Sequence, residues 1–242
     1  MMNSQKSHKC LHKTLLILVC LEILSGLLTA VICEYTKIFL SDNIFQIDKH
    51  EVLSVVLMTK IYGLHVSICF TGGIAVILLF KDVYTRHLKI SVILWLFLSI
   101  ETVIGALSMS WVFSDTMNYV TTNFEESLQY GIKFYETDPQ WVLIFDNLQY
   151  NYKCCGVYNH TDWKKIILSS SREENVIRLL NNLILPYSCA KENMATKDED
   201  SINSRGCFHV IYNIIENINK AMMTINGFIA IDVVSSFFIP FD

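Results

Sequence analysis

Residues 15–33, LLILVCLEILSGLLTAVIC, decide the fold. The run is close to the ~20 apolar residues needed to cross a bilayer and is longer than the apolar part of a typical secretory signal. Lys6, Lys9 and Lys13 precede it without an acid among them. Similar runs follow at 53–80, 90–113 and 222–241. These later runs favour a membrane span over a cleaved signal peptide for the first. The fourth run is interrupted by Asn226 and Asp232, and the chain stops at Asp242.

Composition agrees with this reading. The chain is 52% hydrophobic and 17% charged, against about 25% charged residues in a soluble domain. Its net charge of −4 offers no basic field for nucleic acid.

Orientation follows from the short connections. Residues 1–14 are basic, and 81–89 carry Lys81, Arg86 and Lys89 against Asp82, so both are expected on the cytoplasmic side. Residues 34–52 then form a small outer loop and 114–221 a large one. The large loop holds 14 acidic and 10 basic residues.

The large loop reads as mostly helical. Residues 114–136 extend the third span outward. Asp138 can cap a helix with Pro139 at its first position. Trp141, Phe145, Leu148 and Tyr152 then share one apolar face. Ser171 and Glu174 form a capping-box pattern that predicts another helix over Val176, Leu179 and Leu180. Phe208, Ile211, Ile215 and Ile218 make a further face that leads into the fourth run.

Eight cysteines divide by compartment. Cys154, Cys155, Cys189 and Cys207 lie in the large outer segment. Cys20, Cys33 and Cys69 lie in or beside spans, and Cys10 is juxtamembrane. Four cysteines in an exported segment predict two disulfides and allow three pairings. A bond between the vicinal pair is disfavoured, because disulfide geometry suits separated backbones. Cys154 and Cys155 should each reach elsewhere. A zinc site is the weaker reading: the compartment oxidises thiols, and no histidine stands at ligand spacing beside them.

These motifs resemble the tetraspanin family. Cys154-Cys155-Gly156 follows Trp141 and Leu148-Gln149, and precedes Asn159 and Asp162-Trp163. Pro186-Tyr187-Ser188-Cys189 is similar to the family's Pro-x-Ser-Cys. Gly206-Cys207 is similar to its Gly-Cys before the last helix. Glu101 with Gly105-Ala106-Leu107 resembles its third span. The resemblance implies an all-α membrane protein with four transmembrane helices and a disulfide-stapled, mostly helical extracellular loop. It implies the bonds Cys154–Cys207 and Cys155–Cys189. It also implies a non-enzymatic membrane organiser that binds other membrane proteins, itself or other tetraspanins, in plasma or endosomal membranes. The variable lobe 157–206 would carry specificity.

The chain departs from the family in several places. Residues 81–89 hold no cysteine, which leaves Cys10 as the candidate acylation site on position alone. Val19 and Cys20 stand where the family commonly has Asn. The chain ends directly after the fourth run and reads as a truncated or divergent member.

Two kinds of site remain. Glu22 and Glu101 lie inside spans, where an unpaired charge costs at least ~2.5–3.5 kcal/mol. They are expected to face the bundle interior, to be protonated, or to pair with Asn226 or Asp232. These four residues form a candidate intramembrane polar site. Interhelical hydrogen bonding is its plain reading, and a sterol or other lipid is the ligand that the resemblance implies. Asn159-His160-Thr161 is a glycosylation acceptor triplet. Lys197-Asp198-Glu199-Asp200 lacks the ligand spacing of a calcium loop, and no metal site is expected. No nucleophile–base pair or phosphate loop is present, so an enzyme is not expected. A small four-pass channel, transporter subunit or junction protein is the alternative. Against it, polar residues are scattered over the spans, and residues 34–52 contain no cysteine pair.

Overall fold

The computed structural model describes the backbone of residues 2–43, 49–79, 86–165, 176–178, 184–191 and 201–237. Five α-helices are described: α1 (Met2–Asn43), α2 (Lys49–Leu79), α3 (Arg86–Phe134), α4 (Pro139–Tyr152) and α5 (Cys207–Phe237). Between α4 and α5 come a 3-10 turn (His160–Lys165), strands β1 (Val176–Arg178) and β2 (Ile184–Pro186), and a second 3-10 turn (Tyr187–Cys189).

The chain divides into two compact units. The first comprises Met1–Ile38, His50–Thr116 and Ile218–Asp242; the second comprises Phe39–Lys49 and Met117–Asn217.

Among the described residues, three helical stretches that run through the first unit, two of them continuing into the second, are long and apolar enough to cross a bilayer: Leu16–Ser41, Glu51–Gly72 and Ile93–Phe134. The fourth expected crossing, 222–241, falls on α5, which is described only to Phe237. Val19, Val66, Phe70, Ala106, Ile229 and Val233 are buried together as the core of this unit. Small residues set the approach of α1 to α2. A Cβ on Gly26 would stand 2.6 Å from the Gly63 carbonyl, and one on Gly63 would stand 2.6 Å from the Gly26 carbonyl. In lipid such contact replaces the hydrophobic drive, because tails are as apolar as leucine. Polar groups add to it. Ser67 Oγ donates to the Ile23 carbonyl at 3.1 Å, and Tyr62 Oη donates to the Thr102 carbonyl at 2.7 Å. Lys60 Nζ pairs with Glu34 at 2.5 Å, which accounts for a lysine inside the second run. Leu24, Val31, Phe97, Ile104 and Trp111 point outward, as the bilayer would require.

The helices run further than the expected loop boundaries. Residues 34–43 belong to α1, and α2 begins at Lys49, so much of 34–52, expected as the small outer loop, is helical. The reason is local. Residues 34–43 contain no Gly or Pro, Lys37 lies 3.6 Å from Glu34 one turn away, and Thr36 Oγ1 bonds back to the Ile32 carbonyl. The buried Phe39 then meets the Tyr152 ring edge-on at 6.4 Å within the second unit.

The second unit is built on α3 and α4. Met117, Val120, Phe124, Leu128, Ile132 and Tyr135 are buried at helical spacing. Asp138 caps α4 by accepting from the Gln140 amide at 2.9 Å, with Pro139 at the first helical position. Trp163 is buried at the centre, its ring 4.8 Å from Tyr135 and 5.6 Å from Phe145.

One expectation needs correcting. The helix predicted over Val176, Leu179 and Leu180 is not found at its start. Val176–Arg178 is a strand, paired antiparallel with Ile184–Pro186 in the register Val176↔Pro186, Ile177↔Leu185, Arg178↔Ile184. β-Branched Val176, Ile177 and Ile184 suit a pleated surface. Cross-strand pairing with Leu185, fully buried, outweighs a capping pattern worth about 1 kcal/mol. Ser171, Glu174, Leu179 and Leu180 lie outside the described residues.

Candidate functional site: the stapled outer lobe and the intramembrane polar residues

α4 ends at Tyr152. Lys153 closes it in the left-handed region (φ 51°), its amide donating to the Gln149 carbonyl. That reversal presents Cys154 and Cys155 side by side to different partners. Cys154 is bonded to Cys207 with Cα atoms 4.9 Å apart, and Cys155 to Cys189 at 5.0 Å. All four are fully buried.

Backbone bonds lock the junction. The Cys155 amide donates to the Arg205 carbonyl at 2.8 Å. The Cys207 amide donates to Gly156 at 3.1 Å and the Phe208 amide to Val157 at 3.0 Å. The two glycines serve different needs here. Gly156 adopts φ +71°, where an L side chain is strained. Gly206 is required by space: a Cβ would lie 2.2 Å from both the carbonyl carbon and the oxygen of Tyr158. The next turn is held by Asp162, whose Oδ2 accepts from the amides of Tyr158 at 2.7 Å and Asn159 at 3.0 Å. Tyr158 donates its hydroxyl to Glu125 and accepts from Gln129 Nε2 at 2.6 Å. The bond to Glu125 pushes the Tyr158 pKa up.

Pro186 and Ser188 have distinct work. Pro186 ends β2 and precedes the turn that carries Cys189. Ser188 Oγ lies 2.7 Å from both Asp146 Oδ1 and Gln149 Oε1. A hydroxyl has one proton, so it can donate to only one of these acceptors. Gln149 Nε2 is buried without a partner in this orientation. Turning the amide over lets Nε2 donate to Ser188 while Ser188 donates to Asp146, which resolves one conflict. Tyr135 Oη also donates to Asp146, at 2.9 Å. Asp146 and Tyr135 were not singled out from the sequence. The signal for Asp146 is faint: it follows Phe145 and so flanks the apolar face of α4.

Asn159 is half-buried, and its Oδ1 accepts from the Thr161 amide at 2.7 Å. Cys10 lies on α1 with its side chain outside the described residues. Residues 166–168 and 197–200 are likewise outside them.

The four intramembrane polar residues separate. Glu22, Asn226 and Asp232 are buried. Glu22 Oε1, both amide atoms of Asn226 and Asp232 Oδ2 have no hydrogen-bond partner among the described residues. Glu101 does not join them. It faces outward, 67% exposed, with Oε1 4.0 Å from His65 Nε2. Its position on α3 explains the difference: Thr102 and Ala106 take the buried face, and Glu101 falls off it. In hydrocarbon an uncompensated carboxylate costs about 2.5–3.5 kcal/mol.

Apolar spans with one cysteine-stapled outer domain define a multi-pass integral membrane protein. Its sequence matches the Tetraspanin family over residues 11–241, and the chain belongs to that family. It is similar to the CD63 antigen of Rattus norvegicus, 33% identical over 86 residues, covering 36% of this chain and 34% of that protein. It is similar to the CD63 antigen of Bos taurus, 29% identical over 92 residues (38% and 37%). It also resembles Tetraspanin-6 of Bos taurus, 31% identical over 104 residues (41% and 36%). The aligned stretch thus spans little more than a third of these relatives.

Proposed function

We propose that the chain is a non-catalytic membrane organiser of four passes, the last at 222–241, with both termini cytoplasmic. It holds other membrane proteins beside it in plasma and endosomal membranes. The lobe 157–206 selects the partners. The observation that carries this reading is the double staple, which ties the lobe to the end of α4 at two points, through Cys207 at the start of α5 and through Cys189 within the lobe. Tyr187, 58% exposed between Pro186 and Ser188, offers one aromatic contact of the kind enriched at interfaces. Exchanging 157–206 for the corresponding segment of another tetraspanin is expected to replace most proteins that co-purify in mild detergent. An unaltered set of partners overturns the assignment.

A second reading concerns lipid. Buried polar atoms without partners call for a ligand, a proton or water, and those of Glu22, Asn226 and Asp232 support a sterol hydroxyl among the helices. Photo-crosslinking with a sterol probe is expected to label the chain. Asn226→Leu with Glu22→Gln is expected to lower that labelling at least fivefold. Undiminished labelling removes this reading.

A further inference from the structure

Two outward stripes lie side by side in the first unit. On α2, Ile61, His65 and Ile68 are exposed at helical spacing. On α3, Phe97, Glu101 and Ile104 repeat the same spacing. The helices are adjacent, as the Tyr62–Thr102 hydrogen bond shows. Glu101 stands near the middle of the run 90–113 and His65 near the middle of 53–80. Each stripe therefore carries its ionisable residue at mid-membrane, flanked by apolar side chains.

His65 and Glu101 stand at the outer edge of ion-pair range without a hydrogen bond between them. At 4.0 Å, His65 is beyond hydrogen-bond reach of Glu101. Its Nε2 is nearer Cys69 Sγ, at 3.5 Å. Lys60, the nearest lysine along α2, is engaged by Glu34. Ionisable residues inside membranes almost always face a bundle interior or a charge partner, yet Glu101 faces lipid.

We propose that this α2–α3 face is a docking groove for a transmembrane helix of another protein that carries a lysine or arginine at mid-membrane. The inference rests on the organiser reading and names one class of its partners. Charge complementarity selects the occupant. A second copy docking through this same face would bring His65 to Glu101, whereas a permanently charged side chain neutralises the carboxylate and can donate two hydrogen bonds to it if it is arginine. The apolar residues above and below would pack on the incoming helix.

The test uses the full chain in lipid vesicles with synthetic single-span leucine–alanine helices. These carry a central Arg, Leu or Glu beside a photo-crosslinking residue. The Arg helix is expected to crosslink to α2 and α3 at least tenfold more than the Leu helix, and the Glu helix no more than the Leu helix. Glu101→Gln should bring the Arg helix down to the Leu level, with both disulfides intact by non-reducing peptide mapping. Equal crosslinking of Arg and Leu helices overturns the proposal. So does an Arg preference that survives Glu101→Gln, or this face being taken by a second copy that the Arg helix fails to displace. The probe helices have no outer domain, so their failure leaves the lobe's partners unaffected. Failure of the lobe exchange would in turn leave this result standing.

Discussion

Gly206→Ala is expected to prevent the outer domain from reaching its folded, doubly bonded state. The added methyl would sit 2.2 Å from two backbone atoms of Tyr158 and 2.4 Å from the Val157 carbonyl oxygen. No rotamer relieves contact with backbone. The segment 205–208 would have to withdraw from 155–158, and that withdrawal opens the bonds Cys207 N–Gly156 O and Phe208 N–Val157 O. Overpacking of a dense interior costs about 1–3 kcal/mol, and each buried hydrogen bond lost adds roughly 1 kcal/mol. Together these approach 4 kcal/mol, a large part of a domain's stability of about 5–15 kcal/mol. The measurement is peptide mapping without reduction on protein recovered from cells, with the cell-surface fraction beside it. Mostly mispaired or free Cys154 and Cys207 is the expected result. A surface fraction and disulfide map like those of the parent chain would refute the packing argument.

Loss of the two disulfides should have unequal consequences despite similar closure entropies. The Cys154–Cys207 bond spans 53 residues and Cys155–Cys189 spans 34. The chain-entropy relation assigns each about 4 kcal/mol. What differs is what each bond holds. Cys154–Cys207 joins the C-terminal end of α4 to the first residue of α5. Cys155–Cys189 joins the same corner to the turn after β2, where Ser188 reaches Asp146. Cys154→Ser with Cys207→Ser is expected to unfold the whole second unit, with fast amide exchange over α4. Cys155→Ser with Cys189→Ser is expected to speed exchange at β1, β2 and 184–191 by at least tenfold while α4 stays protected. Identical exchange patterns in the two double mutants would show that the staples act as one.

The elements legible in the sequence are those with strong periodicity or a local cap. The run 15–33 is apolar apart from Glu22, Ser25 and Thr29, and Asp138-Pro139 announces α4 before its Trp141–Phe145–Leu148 face begins. The pairing of Val176–Arg178 with Ile184–Pro186 was hidden. Ser171 and Glu174 give a convincing local helix signal, and only the partner strand, supplied by tertiary structure, makes Val176–Arg178 extended. Cysteine spacing alone could not choose between Cys189 and Cys207 for Cys154. That choice depends on where α5 begins relative to the end of α4. Glu101 marks a different limit. A span's sequence shows that a carboxylate lies in the membrane but not which way the helix is turned, because apolar residues such as Phe97, Leu98, Ile100, Val103 and Ile104 occur on every side of the helix around Glu101. The rotation is fixed by Tyr62 packing on Gly105 and donating to Thr102.

The pairing of Lys191 with Ser201 (amide to carbonyl, 2.9 Å) and of Asn203 with Cys189 (3.0 Å) makes a closed gate at the base of the segment between them. Chain leaves and returns between these two hydrogen bonds. Lengthening a segment so clamped adds only about 0.6 kcal/mol for each doubling. An epitope tag or a fluorescent label could be spliced between residues 191 and 201 to follow the protein on living cells, leaving cysteines, helices and membrane faces untouched.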